Sequence, residues 1–231
     1  MLKAVFWDLG GTLCRTDGGG KLLGAVRIAR ALQPLCGSFL DSLHKVLLVM
    51  QEYKKIRADP AGDGEPELKD LIPRVFPVTQ FDPLLVTRIV YEEVLKHTSL
   101  LPGAESALAS VTAAGLPMVL VTDGFYGREY VQHALDELGM KDKFKAVVIS
   151  CEVGAGKPEP ALFHAACRAI GVKPEEVLFV GDKEDRDIAG AAGVGMKTVL
   201  VGKAPRKNQP DLFLPDLRRF PEKLPVLLEN A

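Results

Sequence analysis

The stretch Ala4-Val5-Phe6-Trp7-Asp8-Leu9-Gly10-Gly11-Thr12-Leu13 limits what this chain can become more than any other. Ala4 to Trp7 is a short apolar run rich in strand formers, the pattern of a parallel strand buried on both faces. It delivers a carboxylate, Asp8, at its carboxyl end, and two glycines then let the backbone turn sharply. Ligands of open α/β sheets bind just past the carboxyl ends of strands. An aspartate there, directly after two aromatic residues, is costly unless something cationic faces it. Taken alone it could equally cap a turn. The other strand ends decide between the two.

A polar, glycine-rich linker follows, from Arg15 to Gly20, and then four helical patterns with no strand between Leu22 and His97. The first runs from Leu22 to Leu32 and is expected to end near Pro34. Ser38 is placed to cap the second, whose apolar face holds Phe39, Leu43, Val46, Leu47 and Met50. Pro66 opens a short third helix through Leu68, Leu71 and Ile72, and Asp82-Pro83 starts a fourth. From Leu101 helices and strands alternate. Strands are predicted at Pro117–Val121, Ala146–Ile149, Val177–Val180 and Thr198–Val201, with Pro158 starting the helix that Gly171 ends, and a last strand and helix after Asp211. This rhythm implies a doubly wound, Rossmann-like parallel sheet, an α/β core into which a helical segment is inserted. The division is 1–15 and 100–231 for the core, 16–99 for the insertion.

Four strand exits then present Asp8, Thr122, Lys157 and Asp182, with Asp187 five residues beyond the last. In a parallel sheet those exits share one edge. Asp8 and Asp182 are hard oxygen donors suited to Mg²⁺, and Asp187 can hold the ion or orient its waters. Lys157 offers a point charge to a phosphate or to Asp8, and Thr122 a hydroxyl donor. A carboxylate and a phosphate dianion repel by about 4 kcal/mol per unit-charge pair at ~4 Å near a protein surface. A divalent cation plus Lys157 reverses that sign. Each residue alone has an ordinary explanation, such as a solvated lysine or a charge run opening a helix. Four such coincidences in a fitting order are improbable.

These motifs resemble those of the haloacid dehalogenase superfamily: Asp8 in Trp7-Asp8-Leu9-Gly10-Gly11-Thr12, Thr122 in Val121-Thr122-Asp123-Gly124, Lys157 in Gly156-Lys157-Pro158, and Gly181-Asp182 followed by Asp187. The insertion resembles that family's α-helical cap domain. The resemblance implies a Mg²⁺-dependent phosphoric monoester hydrolase, phosphoglycolate-phosphatase-like, acting through an aspartyl-phosphate. Asp8 is then the nucleophile. Metal ligands are Asp8, the Gly10 carbonyl, Asp182 and Asp187, and the substrate is held by Thr122, Asp123, Gly124 and Lys157. The family's usual second aspartate, its general acid and base, is replaced by Gly10. General acid–base catalysis typically supplies about 10²–10⁴-fold. A weakly catalytic phospho-ligand-binding protein is therefore the alternative, with a 2-haloacid dehalogenase, which does without Mg²⁺, disfavoured by the acidic cluster. Arg15, Asp17, Phe125, Tyr126 and Arg128 flank the motifs as candidate substrate contacts.

A net charge of −1 gives no basic footprint for nucleic acid. No apolar run approaches the ~20 residues of a membrane span, and only four apolar residues separate Lys3 from Asp8, so a cytoplasmic protein without a signal peptide is expected. Cys14, Cys36, Cys151 and Cys167 are too scattered for a zinc or redox motif and read as reduced packing residues. The expected partner is a small-molecule phosphate ester, and the expected state a monomer or homodimer.

Overall fold

A computed structural model describes residues 1–16, 21–58, 66–77, 80–125 and 127–229. In chain order these form β1 (Ala4–Trp7), β2 (Cys14–Thr16), α1 (Lys21–Cys36), α2 (Phe39–Ala58), α3 (Leu68–Val75), α4 (Pro83–Leu95), β3 (Thr98–Leu100), α5 (Ala104–Ala113), β4 (Met118–Thr122) and α6 (Gly127–Glu137). There follow β5 (Ala146–Ile149), α7 (Ser150–Val153), α8 (Pro160–Ile170), β6 (Val177–Gly181), α9 (Ala189–Gly193), β7 (Lys197–Val201), β8 (Leu212–Leu214) and α10 (Phe220–Glu229). The chain divides into two compact units. One is Met1–Arg15, Leu100–Asp123 and Leu135–Ala231; the other is Thr16–Ser99 with Gly124–Ala134.

The first unit is built on a six-stranded sheet in the order β5-β4-β1-β6-β7-β8, every pair parallel. β1 lies between β4 and β6, with Trp7 opposite Leu120 on one side and Val180 on the other. Its four residues are wholly buried because both faces of the sheet are covered. Successive side chains point to opposite faces. Phe6 thus joins Val119, Val121, Phe163 and Phe179 in one cluster, while Trp7 packs its ring 5.1 Å from that of Phe220 on α10. Truncating such a ring in a closed core costs about 3–5 kcal/mol. The strand is therefore anchored on both sides just before the residue it presents.

The second unit is helical and has its own core, including Leu32, Leu68, Leu71, Ile72, Phe76 and Val86. Ser38 Oγ accepts the Asp41 N–H at 3.1 Å and Asp82 Oδ1 accepts the Leu84 N–H at 2.9 Å, the two caps the sequence predicts. Three local expectations are corrected. α1 runs through Pro34 to Cys36, because a proline in the last turn removes only one hydrogen bond. Gly37, at φ +79°, supplies the actual stop. α8 begins at Pro160 rather than Pro158, whose peptide bond with Lys157 is cis. Finally, Cys14–Thr16 and Thr98–Leu100 pair as a small ribbon at the two ends of the helical insertion, where a plain linker is expected. Three residues are too few for a strand period to show in sequence. Among the described residues no helix is long and apolar enough to cross a membrane.

Candidate active site

Asp8 leaves the sheet with its N–H still bonded to Val180 O at 2.9 Å, so β6 fixes the backbone that carries it. The residue is 6% exposed, and its carboxylate is held at both oxygens. Thr12, itself buried, donates its hydroxyl to Oδ2 at 2.9 Å, and Lys157 Nζ lies 2.5 Å from Oδ1. The turn Asp8–Thr12 makes this possible. Gly11 sits at φ +96°, and a Cβ there would run into the Asp182 carboxylate, so only glycine fits. Gly10 is different. It is exposed, lacks a positive φ, and a Cβ added to it meets nothing within 4 Å among the described residues.

The fourth motif is organised by one turn of π-helix, Glu184–Ile188, in which the Ile188 N–H reaches back to Lys183 O at 3.2 Å. Such wide turns often mark functional sites. This one swings Asp187 under the preceding loop. Its Oδ2 accepts the N–H groups of Asp182 at 3.1 Å and Lys183 at 2.8 Å, and its Oδ1 lies 2.7 Å from Lys157 Nζ. Gly181 must be glycine here, because a Cβ would overlap the Asp187 carboxylate. Lys157 is thus a buried cation, 3% exposed, between Asp8 and Asp187.

A clamp that sequence reasoning missed steadies this lysine. Asp123 Oδ1 accepts the Lys157 N–H at 2.9 Å, its Oδ2 is ion-paired with Arg186, and Arg186 Nε donates to Lys157 O at 3.2 Å. Arg186 stands in a run of alternating charges, where nothing in sequence separates it from a solvated residue. The π-turn is what selects it.

These groups line one cavity of about 170 Å³: Asp8, Gly10, Thr122, Asp123, Lys157, Asp182, Lys183, Arg186 and Asp187. Of the residues singled out from sequence, only Gly124 and the flanking candidates are absent from its wall. Gly124, Phe125 and Arg128 belong to the helical unit, where the Phe125 ring lies 4.4 Å from that of Tyr53. Arg15 lies exposed on β2. Asp17 and Tyr126 lie outside the described residues.

The electrostatics of the cavity are unbalanced. Burial pushes the Asp8 carboxyl up to about 7; Lys157 opposes the rise while Asp187 and Asp182 add to it. Burial also raises Asp182, against the pull of Lys183. For Lys157 burial works the other way, yet Asp8, Asp187 and Asp123 outweigh it and hold the ammonium protonated beyond its usual range. The rise at Asp8 is thus first a cost of burial, to which the neighbouring carboxylates add and which Lys157 only partly offsets. One ligand atom from each of Asp8, Asp182 and Asp187 falls within 4.8 Å of the others. Asp182 Oδ1 is buried without a hydrogen-bond partner among the described residues. An all-oxygen donor set with an orphaned buried carboxylate oxygen fits a hard divalent cation.

Comparison with known proteins bears on the same residues. Residues 2–195 match the family model for haloacid dehalogenase-like hydrolases. The chain is 30% identical over 203 residues to a glyceraldehyde 3-phosphate phosphatase of Methanopyrus kandleri, covering 87% of this chain and 84% of that protein. It is 40% identical over 119 residues to a phosphoserine phosphatase of Thermus thermophilus, a match spanning 52% of this chain but only 47% of that protein. The crystal structure of a 2-haloacid dehalogenase from Pseudomonas syringae covers the whole chain, and is itself wholly covered, with a TM-score of 0.71 at 24% identity, a likeness of fold. The matched span starts just before Asp8 and ends beyond Asp187, taking in every group of the cavity, and on that ground the chain belongs to the haloacid dehalogenase-like hydrolases.

Proposed function

We propose that this hydrolase is a Mg²⁺-dependent phosphatase of a small phosphorylated metabolite, working through an aspartyl-phosphate on Asp8. The observation that carries the reading is the placement of Asp8. Its carboxylate is oriented by Thr12 and Lys157 in the same cavity as the orphaned oxygen of Asp182. The phosphatases among its relatives support a phosphate ester as substrate, and the acidic cluster favours phosphoryl transfer over dehalogenation.

Asp8, the Gly10 carbonyl, Asp182 and Asp187 would hold Mg²⁺, which when bound offsets phosphate charge and polarises the phosphorus–oxygen bonds. Lys157 and Thr122, with Asp123 beside them, hold the phosphoryl oxygens. An oxygen of Asp8 forms a bond to phosphorus as the ester oxygen departs. Water then adds to phosphorus, releasing inorganic phosphate and regenerating the Asp8 carboxylate. Lys157 keeps its proton throughout, because the carboxylates around it hold it charged.

The Mg²⁺ assignment is tested through Asp182. Asp182→Asn removes one ligand charge, and activity titrated against Mg²⁺ should show at least ~10-fold weaker metal dependence together with reduced turnover. Full activity of the wild type in EDTA would overturn the assignment.

Gly10 supports a second reading, a phospho-ligand binder with slow turnover, since no carboxylate stands where the family's acid and base does. Leaving groups of low pKa bypass the missing acid but not the missing base. Because a side chain fits at Gly10 without backbone strain, Gly10→Asp should fold normally. It should raise kcat on an alkyl phosphate by ~10-fold or more, with a smaller gain on p-nitrophenyl phosphate. Equal alkyl phosphate turnover in both proteins would mean that another group already supplies the proton. No turnover in either would favour the binder.

A further inference from the structure

The core of the helical unit is not closed. A cavity of about 520 Å³ opens within it, floored by buried apolar residues such as Leu32, Leu68, Ile72 and Phe76. Protein cores pack like organic crystals, and their ordinary voids are few and close to the size of a water molecule. This one has the volume and apolar lining of a small-molecule site. A second feature bears on it independently. Gly24 lies on its wall, in the first turns of α1, and a Cβ there would meet nothing within 4 Å among the described residues. Glycine is the poorest helix former after proline, so its presence where a larger residue would fit keeps the space open at the expense of the helix.

The polar groups of the lining are arranged asymmetrically. Thr16 and Lys54 are exposed and Tyr53 and Tyr130 half-buried, while the apolar floor is buried. Among the described residues that line the cavity, Lys54 is the only charged one. An apolar interior with a single cation at the exposed end matches a molecule with a hydrocarbon body and one negative head.

We propose that the helical unit carries a binding site for an apolar monocarboxylate of medium chain length, its tail among Leu32, Ile72 and Phe76 and its carboxylate at Lys54. The site lies within one unit and is independent of the phosphatase reading, which is tested by turnover alone.

The probe is decanoate, kept below its aggregation limit and titrated calorimetrically into the full chain, with decyltrimethylammonium as the cationic counterpart. Decanoate should bind saturably with one site per chain, and the cation at least about ten-fold more weakly. Gly24→Leu fills the cavity while favouring the helix, and should reduce decanoate affinity at least about ten-fold. Lys54→Gln should reduce it about two- to five-fold, the range of an exposed ion pair. Amide hydrogen exchange on the wild type provides a readout that needs no variant: decanoate should slow exchange in α1, α2 and α3 and leave β1, β4 and β6 unchanged. Non-saturable binding, equal affinity for decanoate and its cationic counterpart, unchanged affinity in a folded Gly24→Leu protein, or protection spread over the sheet would each overturn the proposal.

Discussion

Asp8→Asn should reduce phosphate-ester turnover to background, a loss of at least ~10⁴-fold, the scale on which removing a nucleophile acts in other enzymes. The substitution keeps the shape of the side chain and an acceptor for Thr12 or Lys157, so the fold should survive. In EDTA the variant should in fact be the more stable protein, and increasingly so as pH rises. The Asp8 carboxyl is raised in the folded chain to about 7 from the 3.8 of an unperturbed aspartate. A raised acid binds more protons folded than unfolded. Its contribution is therefore fully present below about pH 4, is lost as pH rises towards 7, and stays lost above. Asparagine has no such titration. The gap between the urea midpoints of variant and wild type, measured without metal, should widen from pH 4 to 7 and then level off. Retained turnover would assign the nucleophile elsewhere, and a pH-independent gap would remove the claim that burial burdens Asp8.

Lys157→Met should have the largest effect on stability. It removes the ammonium that faces Asp8 at 2.5 Å and Asp187 at 2.7 Å and leaves both carboxylates buried. Breaking a buried ion pair from one side costs about 3–5 kcal/mol, a large part of the ~5–15 kcal/mol by which a domain is stable. Methionine fills most of the lost volume and can still lie against the Phe179 ring, over which Nζ sits at 5.8 Å. The loss should thus be electrostatic. It should shrink as the pH falls through about 7, where Asp8 takes up a proton, and on adding Mg²⁺. Denaturant melts in EDTA at pH 8 give the reference value. A cost under ~1 kcal/mol there would mean that Lys157 is not the counter-charge of this cluster. Turnover should collapse alongside, with no recovery at low pH.

How much of this was legible in the sequence depended on the range of the interaction. β1, β4 and β6 are continuous apolar runs because both their faces are buried, and the edge strand β5 is apolar though half-buried at its start, so their positions and polar ends could be read directly. The convergence of Asp8, Thr122, Lys157, Asp182 and Asp187 on one cavity followed from parallel topology. The clamp of Asp123 and Arg186 on Lys157 could not be read. It joins residues 29 to 63 positions apart through a π-turn that leaves no period in the sequence. The distinction between the two neighbouring glycines was equally hidden. Only the backbone shows that Gly11 carries the left-handed turn while Gly10 is free to accept a side chain. The grouping of Gly124–Ala134 with the helical unit was also out of reach, since periodicity shows that a helix has an apolar face but not which core receives it.

The central place of β1 has a consequence for how the chain is made. Val5 pairs with Met118 and Leu178, partners that leave the ribosome more than a hundred residues after it. The helical unit, by contrast, is drawn mostly from the contiguous stretch Thr16–Ser99. During synthesis Ala4-Val5-Phe6-Trp7 therefore waits, apolar and unpaired, while the helices behind it can already collapse. Folds dominated by such distant pairings form slowly and expose sticky strands on the way. Chains halted before residue 177 should hold a folded helical unit tethered to an aggregation-prone β1, and Asp8, the proposed nucleophile, would be set in place only by strands synthesised long after it.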